Sequence, residues 1–201
     1  MADFATIILL LGSYDKETKD ILNRIREEIA KISVYHGETI FTLLLENVEI
    51  YETDTGWVCV ETINDKKMFI LFKGDSIEVK DVVEVDDEKD DFEILKQLGY
   101  KSFVRIPVLE KLRILATISS LVLIVRHKEL TRGGEYIELV FLLGRGLNPR
   151  IVYLFVKSDV KISTMLKELI DFTEINFRIY ESDDELIESI RRILYYKVLK
   201  R

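Results

Sequence analysis

The chain has 201 residues, 48% of them hydrophobic and 32% charged, with a formal net charge of −7. That length suits one domain carrying an insertion or two small ones. The acidic balance argues against a general nucleic-acid or anionic-membrane binder, since both need a dense basic surface, though not against a local basic groove. One cysteine, Cys59, excludes an internal disulfide framework, and two histidines leave little for a metal cluster.

The apolar run from Phe4 to Leu11 is too short to span a bilayer and follows Asp3 rather than a basic segment. It reads as a strand, followed by the loop Gly12-Ser13-Tyr14-Asp15. Lys16 to Lys31 then carries Ile21, Leu22, Ile25 and Ile29 at helical spacing, with Ser13 or Asp15 able to cap it. Thr39 to Leu45 reads as a second strand. Trp57–Ile63 and Lys67–Phe72 flank Asn64-Asp65-Lys66 as a β-hairpin, and Ile77–Val85 adds an extended segment. Residues 51–85 are therefore expected to form a β-rich insertion within one α/β domain covering 1–201. The acidic run Asp86–Asp91 leads into a helix with Phe92, Leu95 and Leu98, which Gly99 ends. A helix over Val108–Thr117 has Pro107 near its first turn.

From Leu121 the alternation is regular: strand 121–125, helix 135–143, strand 151–156, helix 164–172, strand 177–180 and helix 183–198. Ser182-Asp-Asp-Glu185 resembles a capping box. The fold expected is a three-layer α/β domain with a mainly parallel, doubly wound sheet of flavodoxin-like type and a β-hairpin insertion.

The stretch Thr131-Arg132-Gly133-Gly134-Glu135-Tyr136-Ile137-Glu138 follows the apolar strand 121–125. Its glycines permit a tight turn into a helix, and Glu138 then sits about one helical turn inside the start of that helix. Such a position faces the crevice beyond the carboxyl ends of the strands. A carboxylate there can attack a sugar anomeric carbon or stabilise the charge developing on it, which makes Glu138 the catalytic candidate. Its competing role is a solvated or salt-bridged helix residue. Glu135 is either its partner or a first-turn acid favoured by the helix dipole.

Gly12, Ser13, Tyr14 and Asp15 are ligand-binding candidates at the same edge, with capping of the first helix as the alternative for Ser13 and Asp15. Arg132, Gly133 and Gly134 are candidates beside them. Arg126, His127 and Arg132 suit a phosphate or carboxylate, while His36 and His127 equally suit polar surface. Tyr14 and Tyr136 suit either base stacking or a core, and Trp57 suits a site cover or a partner surface. Cys59 reads as a packing residue. The basic tail from Arg191 to Arg201 complements a helix C-terminus rather than binding nucleic acid.

The residues Ile7–Asp15, the strand Leu121–Val125 followed by Gly134-Glu-Tyr-Ile-Glu138, and Gly144-Arg-Gly-Leu-Asn-Pro-Arg-Ile-Val152 resemble segments of the nucleoside 2-deoxyribosyltransferase-like and TIR-like superfamily of small flavodoxin-like domains. The resemblance covers about the first thirty and the last eighty residues. It implies that Glu138 acts on the C1′ centre of an N-glycosidic bond. Ser119-Ser120 stands where that family often has Asp, and Glu135 stands where it has Thr; both changes alter sugar recognition.

The expected function is nucleotide or nucleoside binding with N-glycoside cleavage or transfer through Glu138. The alternative is a non-catalytic nucleotide-sensing or protein-interaction module that dimerises through the hairpin. The expected partner is a small nucleotide or nucleoside, with no cofactor, metal, nucleic acid or membrane, in a reduced cytoplasmic setting. A content rich in Lys, Glu and Ile, with Gln97 the lone glutamine, resembles that of thermophiles.

Overall fold

The computed structural model describes residues 6–13, 15–63, 66–72, 82–86, 90–129 and 134–200, with the side chains of 63, 66, 72, 82–86, 134 and 135 outside that description. In chain order the elements are β1 (Thr6–Gly12), α1 (Lys16–His36), β2 (Ile40–Leu44), β3 (Val48–Thr53), β4 (Gly56–Ile63), β5 (Lys66–Phe72), β6 (Val82–Asp86), α2 (Asp91–Gln97), β7 (Phe103–Arg105) and α3 (Val108–Ile118). They continue with β8 (Leu121–Arg126), α4 (Gly134–Gly144), β9 (Val152–Lys157), α5 (Thr164–Thr173), β10 (Asn176–Tyr180) and α6 (Asp183–Leu194). Two compact units result: Thr6–Thr42 with Leu115–Arg201, and Leu43–Ile114.

The first unit is an α/β fold built on a mostly parallel sheet in the order β10-β9-β8-β1-β2. Counted within the sheet by chain order this is 2-1-3-4-5, the order of flavodoxin-like sheets. Ile7 to Leu11 are at most 2% exposed, and every residue of β8 is buried. A strand that must be apolar on both faces explains the continuous aliphatic runs. α1 buries Ile21, Leu22, Ile25 and Ile29, and α6 buries Leu186, Ile187, Ile190, Ile193 and Leu194, each at helical spacing. Arg24 to Asp184 and Arg191 to Glu28 add ion pairs between these two helices.

The second unit is an antiparallel sheet in the order β6-β5-β4-β3-β7. Its register sets Tyr51 opposite Val58, Val58 opposite Leu71, and Val60 opposite Phe69. These residues form one core with Ile94 and Leu95 of α2. Ile50, Cys59 and Ile70, which point to the other face, are equally buried. Cys59 is thus a packing residue, and burial drives its thiol pKa well up.

The hairpin expected over residues 57–72 is present as β4 and β5, within a sheet that also includes β3 and β7. Those two strands were not among the expected elements. β7 has three residues, and β3 carries Glu49 and Glu52, whose type is depleted in strands. α1 also runs past its expected end to His36. Gly37, at φ 68°, turns the chain there, and the Glu38 N–H donates to Ser33 O at 3.1 Å. His36 is therefore the exposed last residue of a helix rather than part of a loop. α6 stops at Leu194 and continues as a π turn over Tyr195–Leu199.

Candidate functional site

The chain leaves β1 through α1 to β2 on one side, while β8 pairs with β1 on the other. This is the topological switch point, where the loops leaving two adjacent strands separate and open a crevice. Gly12 lies in register with Val125. Ser13 and Arg126 follow them and are both buried, at 8% and 6% exposure. A Cβ at Gly12 would lie 3.1 Å from Leu22 Cδ1, Thr18 Cγ2 and the Val125 carbonyl oxygen. Glycine therefore lets the first turn of α1 approach both strands closely.

Asp15 caps α1. Its Oδ1 accepts the Thr18 N–H at 3.1 Å, its Oδ2 accepts the Thr18 hydroxyl at 2.6 Å, and its own N–H donates to Ser13 Oγ at 3.4 Å. Burial alone would raise the Asp15 pKa. The hydrogen bonds from Thr18, the Ser13 hydroxyl and the charge of Lys128 outweigh that and hold it below its ordinary value. The carboxylate thus places negative charge where a helix N-terminus would otherwise draw a phosphate. It suits a hydroxyl-bearing ligand at this point better than an anionic one.

At the end of β8, the Arg126 guanidinium carbon stands 4.2 Å from the centre of the Tyr136 ring, a cation–π contact. Its Nε and Nη1 are shielded from solvent. Tyr136, expected either to stack on a base or to join the core, lies beneath this arginine. His127 Nδ1 is 2.9 Å from the Tyr180 hydroxyl and 3.8 Å from Asp183 Oδ1. Burial first, then the charges of Asp183 and Asp159, push the Tyr180 pKa far up. The hydroxyl therefore stays protonated. A protonated hydroxyl both donates and accepts, so the imidazole tautomer sets the direction of this bond.

Glu138 is half-buried on α4, the helix after β8, and its Oε2 is shielded from solvent. Gly134 is the first residue of that helix. Tyr14, Arg132, Gly133 and the side chain of Glu135 lie outside the described residues. Of the expected site residues, Gly12, Ser13 and Asp15 gather at the end of β1 beside Val125 and Arg126, and Glu138 comes from α4. The contact of His127 with Tyr180 and Asp183 was not foreseen. Tyr180 reads in sequence as an ordinary strand residue, and only strand order brings β10's end toward β8's. Among the described residues, no three His, Cys, Asp or Glu side chains are grouped to hold a metal ion, and no helix is long and apolar enough to cross a membrane.

No protein-family model matches this chain, and no curated protein matches it. Among solved structures it is similar to the metal-soaked Flv1 flavodiiron core from Synechocystis sp. PCC6803, at 11% identity and a TM-score of 0.43. That alignment covers 93% of this chain and 34% of the other, so the chain spans about a third of that structure's length.

Proposed function

We propose that the parallel-sheet unit binds a nucleoside or nucleotide in the crevice beyond β1 and β8, and that Glu138 cleaves or transfers its N-glycosidic bond. The observation that carries this reading is the register of Gly12 with Val125 at the switch point, which sets the Ser13–Asp15 cap beside the Arg126–His127 end. The resemblance of these segments to the nucleoside 2-deoxyribosyltransferase-like and TIR-like superfamily supports the same class. The Asp15 carboxylate favours the sugar side of the ligand here, since sugar hydroxyls donate to it while phosphates are repelled.

In the reaction, the Glu138 carboxylate attacks C1′ and the C1′–N bond breaks. Its electron pair leaves with the base, which takes up a proton. Water or an acceptor base then displaces the glycosyl ester and frees Glu138. The test is incubation with NAD and a nucleoside panel while base release is followed by chromatography. Release is expected in the wild type and should fall by about a hundredfold or more in Glu138→Gln. No release, or release unchanged in that variant, removes the catalytic assignment. Thermal stabilisation by the same compounds reads binding separately, and its absence as well removes the site.

A further inference from the structure

A cavity of about 320 Å³ lies on the first unit away from the crevice, lined by Tyr153, Arg178, Ser189, Arg192, Tyr196 and Lys197. We propose that this cavity is an anion site for a small phosphorylated ligand. β9 and β10 are parallel, and Tyr153 pairs with Asn176 at the start of β10. α6 begins at the carboxyl end of β10 and runs back, so its last residues reach the amino ends of the strands. The cavity is thus at the opposite end of the sheet from the switch point, and it stands independently of the function proposed above.

Its charge is the first argument. Three cations line it on a chain whose net charge is −7. Cations near the end of α6 complement the helix dipole, but Arg178 comes from the edge strand β10 and owes nothing to that dipole. Arg178 is exposed and, like Lys197, has no hydrogen-bonding or ion-pairing partner among the described residues. Arg192 directs Nε to Glu188 Oε1 at 3.1 Å, which leaves its terminal nitrogens. Arg178 and Lys197, which lack such an acid, repel one another, and a bound phosphate relieves that.

Tyr153 is the second argument. It is 3% exposed, and its hydroxyl has no hydrogen-bond partner among the described residues. Burial raises its pKa while the nearby Arg178 charge lowers it, so the hydroxyl is a protonated donor beside that cation. Tyr153 lines the cavity, and a phosphate oxygen there would accept from its hydroxyl. The π turn over Tyr195–Leu199 contributes Tyr196 and Lys197 to the rim, a rare geometry that recurs at functional sites. The volume falls in the small-ligand range of roughly 300–1,000 Å³.

Calorimetric titration of the full chain with inorganic pyrophosphate tests this, with a single-stranded oligonucleotide series as the second arm. Saturable pyrophosphate binding is expected, about tenfold weaker in Arg178→Ala and weakened also in Tyr153→Phe, which keeps the packed ring. Lys161→Ala, which removes a surface cation outside the cavity, should bind as the wild type does. Absence of binding, or binding unchanged in both cavity variants, overturns the proposal. So does oligonucleotide binding that tightens with length while pyrophosphate stays silent, since the groove would then serve a polyanion.

Discussion

Asp15 shows how a single carboxylate serves structure and site together. Both of its oxygens are engaged by Thr18, so its loss should be felt first in stability. Asp15→Ala should cost about 1 kcal/mol in urea denaturation at neutral pH. The sign of its pH dependence follows from its depressed pKa. The folded state holds the ionised form, so the contribution is complete above the unfolded value and is lost as pH falls through the lower folded value. The gap between wild type and variant should therefore close in acid; a gap that stays constant down to pH 2–3, roughly one to two units below the ordinary Asp value, would contradict the cap. His127 is the second case. In the sequence it is one polar residue after a strand, and the structure pins its Nδ1 against Tyr180.

At the scale of elements, Asp91 adds a polar tie between α2 and the antiparallel sheet to the apolar packing of Ile94 and Leu95. Asp91 accepts the Tyr51 hydroxyl at 2.7 Å and lies 2.9 Å from Lys67 Nζ, with both ends of the ion pair 15% exposed. Desolvation first, then the Asp91 hydrogen bond and charge, raise the Tyr51 pKa, so this hydroxyl donates throughout the neutral range. Asp91→Ala removes the acceptor for two strands at once and should cost about 2 kcal/mol. Asp91→Asn keeps an oxygen for Tyr51 and should cost less. Equal losses in the two variants would show that the charge, rather than the hydrogen bond, holds the helix.

At the scale of the whole molecule, both units rest on central strands paired on each side. β1 and β8 hold the middle of the parallel sheet, and β4 holds that of the antiparallel one. Their amides should be among the slowest to exchange with deuterium, and those of the edge strands β10 and β7 faster, on the order of a hundredfold or more. Equal protection of edge and centre would contradict the strand orders.

The sequence by itself determined the elements with long, strongly patterned runs. β1, β8 and β9 are legible because a strand covered on both faces must be apolar throughout, and α1 and α6 because a half-buried helix repeats every three or four residues. The alternation from residue 121 onward was enough to expect a parallel sheet. Short β7 and acid-bearing β3 were not legible, since their strand state depends on partners distant in the chain. For the candidate site, Gly12, Ser13 and Asp15 were readable as a loop between strand and helix. Tertiary structure decided the rest: that β1 adjoins β8, that His127 meets Tyr180, and that Arg178 shares a cavity with Tyr153 and the end of α6. Each of these follows from strand order, which pairs residues through backbone hydrogen bonds between segments whose separation in sequence leaves no local periodicity to read.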